Sequence, residues 1–214
     1  CNFPAGLAAP RRWCDETAIA LPSDLPGRER PGAEAESAGV RFVDGDAEAL
    51  PFADQGFDAV VSSFGAMFAL DQERAASEMV RVCRRGQRLG LANWTPAGFV
   101  GQLFEVLAAF VPGAPGSAAC AWGTQARLHE LFGVYGIVHT EVKQVAFRAR
   151  TPIDWVDKLR LSHVPVVRAF ALQDAQGKRA LRGRLLELVE SFNRARDGSM
   201  VVNAEYLEVV VQRR

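Results

Sequence analysis

The residues best suited to chemistry lie in Gly45-Asp46-Ala47-Glu48-Ala49-Leu50-Pro51-Phe52, followed by Phe57-Asp58-Ala59-Val60. Arg41-Phe42-Val43 is short and β-rich, and Asp44-Gly45-Asp46 is a turn signal. Asp46 is therefore predicted at the carboxyl end of a strand, the end that faces the ligand crevice in an open parallel sheet. There its two oxygens can accept from the exocyclic amine of an adenine, while the next backbone N–H can donate to a ring nitrogen.

Other candidates are weaker. Ser62 and Ser63 lack a G-x-S-x-G context and an identifiable partner histidine, so they read as crevice lining rather than as nucleophiles. His129, His139 and His163 stand singly and read as structural; His163, near Pro165, is kept as a general-base candidate. Trp94 is expected to pack against the next helix, and Trp122 and Trp155 to serve as core or lid. Cys1, Cys14, Cys83 and Cys120 are far apart, without C-x-x-C spacing or a nearby histidine. That pattern predicts neither a metal site nor a disulfide framework, and a reducing cytoplasm as the location.

Positioning these residues requires strands and helices in alternation. Phe57 to Ser62 is a nearly continuous apolar run, predicted as a strand buried on both faces. Asp71 can cap a helix carrying Ala75, Met79, Val82 and Cys83 on one face, closed by Arg84-Arg85-Gly86. Leu89 to Ala92 is a short buried strand, and Ala97 to Val111 an amphipathic helix with Phe99, Leu103, Phe104, Leu107 and Phe110 at helical spacing. Thr124 starts a helix through Phe132, Val134 to Phe147 reads as a strand, and Thr151 to Arg194 is helical with a stripe of Leu181, Leu185, Leu188, Val189 and Phe192. Ala204 to Gln212 is a last strand, expected to pair antiparallel with the one before the helical insert at the sheet edge. The resulting pattern is α/β, a parallel sheet built of βαβ units.

The first 36 residues contain five prolines and no sustained period; only Thr17 to Leu21 reads as a brief strand. The expected division is an irregular N-terminal arm over 1–36 and one domain over 37–214. Lys+Arg and Asp+Glu are equal at 25 each. No global field then draws the chain to nucleic acid or to a membrane surface, and the expected partner is a small molecule. No apolar run reaches the ~20 residues of a membrane-spanning helix.

Taken in order, GDAEALPF, FDAVVSSFGAMF, the helix ending RVCRRG and LGLANWTPAGFVGQLF resemble the class I S-adenosylmethionine-dependent methyltransferases, nearest the small-molecule branch that includes ubiquinone and menaquinone biosynthesis enzymes. The resemblance covers roughly Val40 to Trp122 and continues more weakly to the C-terminus. It implies a three-layer Rossmann-like sheet and S-adenosylmethionine as cofactor. It assigns Asp46 and Ala47 to the adenine, and Ser63, Phe64 and Gly65 to the mouth shared by cofactor and substrate. A dedicated catalytic residue is not implied, because methyl transfer is mostly alignment of donor and acceptor.

Departures from the family pattern are equally informative. The chain has no G-x-G-x-G, and Cys1-Asn2-Phe3 falls where that loop should end, so the family's first strand is expected to be missing. The ribose-binding acid would fall near Leu21-Pro22, with only Asp24 close by, and Arg85 and Gln87 replace a usual Pro and Gly. Two lost charge-assisted hydrogen bonds at ~1.5–3 kcal/mol each remove roughly 3–6 kcal/mol, a hundredfold or more in affinity. The expectation is a truncated gene product, perhaps with a stretch read in another frame, that binds cofactor weakly or not at all. The alternative expectation is an inactive remnant or interaction module of the same fold. Either way the fourth strand of the family sheet would be left with an unpaired edge.

Overall fold

The computed structural model describes residues 17–21 and 40–214. Its strands are β1 (Thr17–Leu21), β2 (Val40–Asp44), β3 (Phe57–Ser63), β4 (Cys83–Trp94), β5 (Gly136–Ala149) and β6 (Met200–Arg213). Its α-helices are α1 (Gln72–Val82), α2 (Phe99–Ala108), α3 (Gln125–Phe132), α4 (Pro152–Ser162), α5 (Val164–Ala171) and α6 (Ala175–Phe192). β1 and β2 pair in parallel as a two-stranded sheet, and a second sheet has the order β3-β4-β6-β5. β3 runs parallel to β4. β6 is antiparallel to both its neighbours, since Arg88 meets Gln212 and Thr95 meets Glu205, while Gly136 lies beside Gln212 and Gln144 beside Asn203.

The expected antiparallel pair at the sheet edge is thus present. Among the described residues β3 has β4 as its one partner. Burial differs from the expectation for Phe57 to Ser62, because Val61 is 76% exposed and its neighbours are only half-buried. A strand paired on one side lacks the flanking strands and helices that would cover it.

Two compact units divide the described chain. One comprises Asn93–Thr124 and Glu141–Glu208; the other holds the described part of Ala5–Ala92 with Gln125–Thr140 and Val209–Arg214. In the first, Phe99, Leu103 and Leu107 of α2, Leu181, Leu185 and Val189 of α6 and Trp122 are buried together with Met200, Val202 and Ala204 of β6. Trp94 is buried, with the rings of Phe147 and Tyr206 of the strands at 5.9 and 6.3 Å. In the second, the predicted stripe of Ala75, Met79, Val82 and Cys83 is buried as a set.

Local signals act as the sequence suggests at several helix starts. Asp71 caps α1 by accepting from the Arg74 N–H, and Thr151 caps α4 by accepting from the Asp154 N–H. The long helical stretch is in fact three helices, broken around His163-Val164-Pro165 and again before Asp174, which caps α6 through the Gly177 N–H. Gly86 does not end α1. The helix stops at Val82, Cys83 goes directly into β4 opposite Phe57, and Gly86 with φ 76° makes a turn inside that strand.

The segment bearing Asp46 has little regular structure and is held by α1. Glu78, 7% exposed, accepts from the Leu50 N–H at 2.8 Å and from Arg81. Arg81 in turn donates to the carbonyls of Leu50 and Phe52 and to the Asp54 carboxylate. The Arg81 hydrogen bond holds the Glu78 carboxyl below the usual range. Replacing Arg81 with Met strands an enclosed carboxylate and two carbonyls, and is expected to cost ~2 kcal/mol or more. The urea midpoint measures this, and a Glu78→Met/Arg81→Met pair should recover part of the loss.

His163 closes α4 and opens α5, and its Nδ1 is buried with no partner among the described residues. Burial lowers its pKa below 6.5. Between the folded and unfolded values the unfolded chain binds the extra proton, so the neutral ring's stability is intact above the unfolded pKa and is lost as pH falls toward the folded one. The unfolding midpoint should therefore drop from about pH 7 to about pH 5, and His163→Leu should flatten that part of the drop.

Candidate functional site

Asp46 is exposed just beyond β2. One of its oxygens accepts from the Glu48 N–H at 2.9 Å, and its carbonyl accepts from the Ala49 N–H, closing a tight turn. The second carboxylate oxygen has no partner among the described residues, so it is open to a donor from outside. Ala47, half-buried, is the next residue of this turn.

Glu48 ties this turn to the segment that follows β3. Its carboxylate accepts from the Asp71 N–H at 2.9 Å, and its carbonyl accepts from Arg74 Nε at 3.0 Å. Asp71 stands just after a 3-10 turn, Ala66–Phe68, which begins next to Ser63, Phe64 and Gly65. The Phe64 N–H donates to the Ala92 carbonyl at 2.9 Å, extending the β3–β4 ladder by one residue. Beyond it the chain turns: Phe64 has φ 58°, a left-handed conformation that a bulky residue rarely adopts. Ser62 Oγ accepts from the Ala66 N–H and steadies the turn, with Met67 fully buried beneath. Strain of this kind at a strand's carboxyl end accumulates where a ligand site is shaped.

These residues fit part of an S-adenosylmethionine site. An open carboxylate oxygen and a preformed turn suit the adenine, whereas no G-x-G-x-G exists for the rest of the cofactor. Leu21 ends β1 and carries no carboxylate; Pro22, Asp24 and Cys1-Asn2-Phe3 lie outside the described residues.

Sequence reasoning missed a second group, in the unit that contains α2 and α6. A cleft of about 280 Å³ is lined by Gly98 and Phe99 at the start of α2, Gln144 of β5, Asn203 and Glu205 of β6, and Arg194. Thr95 Oγ1 donates to Glu205 Oε1 at 2.9 Å, and Asn203 donates to Gln144 at 3.0 Å. Gly98 is obligatory here, since a Cβ would come within 2.6 Å of Thr95 Oγ1 and 3.2 Å of Glu205 Cβ. Asn93, 1% exposed near the end of β4, has neither amide atom partnered among the described residues. A buried amide with both functions unmet is costly and calls for a ligand or water. Only the spatial meeting of four distant segments identifies the cleft.

His163 and the other histidines do not join either group. His129 and His139 are exposed, on α3 and β5.

The methyltransferase-domain family matches residues 9–91 of the chain. Uncharacterized protein Rv1405c of Mycobacterium tuberculosis is 30% identical over 200 residues, covering 91% of this chain and 72% of that protein. Rv1403c of the same organism is 39% identical over 133 residues, 61% of this chain, and there the chain spans 47% of the relative's length. The demethylmenaquinone methyltransferase of Thermobifida fusca is 48% identical over 69 residues, 32% of this chain and 29% of that enzyme. Among solved structures, the YcgJ protein of Bacillus subtilis superposes with a TM-score of 0.52 at 15% identity, over 85% of this chain and 76% of that one, a likeness of fold. With its Rossmann-like α/β architecture and the motifs around Asp46 and Phe64, the chain belongs to the class I S-adenosylmethionine-dependent methyltransferases.

Proposed function

We propose that this chain transfers a methyl group from S-adenosylmethionine to a small molecule, not a nucleic acid, in the cytoplasm, and that it holds the cofactor weakly. The observation that carries the reading is the Asp46 turn, locked to α1 through Glu48, Glu78 and Arg81 while one Asp46 oxygen stays open. That oxygen accepts from the adenine amine, the Ala47 segment meets the ring edge, and Ser63, Phe64 and Gly65 line the mouth. The cofactor supplies a methyl carbon on a sulfonium, which an acceptor O, N, C or S displaces; the new bond forms as the carbon–sulfur bond breaks, and its electron pair stays on sulfur.

Taken by itself, the cleft at Glu205 suits a small ligand with a polar group. Phe99 and Phe192 give apolar walls, and Arg194, Gln144 and Asn203 offer donors.

What supports weak binding is that no G-x-G-x-G occurs within the given residues and that Leu21-Pro22 carries no carboxylate. Calorimetric titration with S-adenosylhomocysteine tests it: heat saturating only in the upper micromolar range, and absent in Asp46→Ala, is the expected result. A folded chain that gives no heat at millimolar ligand would establish the second reading, an inactive methyltransferase-fold remnant, which the lack of G-x-G-x-G favours. Phe64→Gly should leave the unfolding midpoint unchanged or raise it, by about 1 kcal/mol at most, while weakening the titration heat.

A further inference from the structure

The α4–α5 corner is unusually apolar on its outer side. Leu161 is 83% exposed, Val164 54%, Val167 40% and Leu172 58%. On α5, Val166, Ala169 and Phe170 are buried, yet the opposite positions Val164, Val167 and Ala171 are apolar too, with Arg168 the one charge among them. A helix that is apolar on both faces has one face that core packing does not explain. Chance exposure of single residues is ordinary, but a contiguous set marks a contact surface.

The local charge indicates what makes that contact. From Lys158 to Gln173 the chain carries Lys158, Arg160 and Arg168 and no carboxylate, within a protein whose Lys+Arg and Asp+Glu are equal at 25 each. All three cations are exposed, and the Arg160 guanidinium lies 5.3 Å from the Phe170 ring centroid, held at the corner itself. The flanking acids are Asp154 and Asp157, paired with Arg150 and Arg182, and Asp174, whose carboxylate accepts from the Gly177 N–H as the cap of α6. Cations around projecting Leu and Val side chains complement an anionic lipid surface, where each apolar residue enters the headgroup boundary and each cation meets a phosphate.

We infer that the α4–α5 corner, with Leu161, Val164, Val167 and Leu172 ringed by Lys158, Arg160 and Arg168, docks reversibly on anionic membranes. The inference departs from the expectation, drawn from overall charge, of no membrane partner; the attraction is local. It does not depend on cofactor binding.

Flotation of the full chain with vesicles tests it. Vesicles of phosphatidylcholine with phosphatidylglycerol should carry the protein at low salt, and vesicles of phosphatidylcholine alone should not. Added salt should release it, and Arg160→Glu/Arg168→Glu should weaken binding at least roughly tenfold. Leu161→Ser/Val164→Ser, checked for unchanged circular dichroism, should abolish what salt leaves. Absence of the protein from phosphatidylglycerol vesicles, or equal binding by both variants, overturns the inference. So does light scattering that shows a dimer lost in Leu161→Ser/Val164→Ser when vesicle binding is absent, since the surface would then belong to a second copy.

Discussion

The Glu78–Arg81 pair on α1 is the constraint on which the Asp46 turn and the segment after it rest. The segment from Asp46 to Asp54 contains a proline and three acids and few backbone partners of its own. Its groups are answered from residues roughly thirty positions away, with Leu50 donating to Glu78 and its carbonyl accepting from Arg81. An isolated surface ion pair contributes little, but here each charge also holds backbone groups that cannot pair elsewhere. A planar guanidinium is suited to this, because it reaches three acceptors of the loop and the Glu78 carboxylate from one fixed fork. The same helix supplies Arg74 to the Glu48 carbonyl, so the ligand-facing turn is carried by a rigid element.

Much of this architecture can be read from residue order, and the reasons differ by element. Helix starts at Asp71 and Thr151 are legible because a cap needs only a side chain and an N–H three residues on. Strand β3 is legible from its apolar run. Its exposure was not, because burial depends on what packs from elsewhere. Gly86 misled for a related reason: a glycine after two arginines suits a helix end, but pairing of Cys83 with Phe57 pulls the chain into β4 first. The division of Thr151 to Arg194 was signalled by Pro165, yet the continuous apolar periodicity hid it.

The site divides in the same way. Asp46, Ser63, Phe64 and Gly65 belong to short contiguous motifs, so their placement at strand ends was accessible. The left-handed backbone at Phe64 was not, since nothing in the residue type asks for it. Glu205, Thr95, Gln144 and Asn203 come from three strand regions and become a group only when β6 lies between β4 and β5. Long-range antiparallel pairing leaves no mark in a short window of sequence.

That placement of β6 also orders the protein's synthesis. The strand made last among the described elements sits inside the four-stranded sheet, and Arg213 donates to the carbonyls of Val80, at 2.6 Å, and Cys83, 133 and 130 residues earlier in the chain. Until β6 leaves the ribosome, β4 and β5 each present an unpaired inner edge and the apolar faces of α2 and α6 lack Met200, Val202 and Ala204. The nascent chain must therefore wait, with strand edges open, for a closing step that cannot be taken piecemeal.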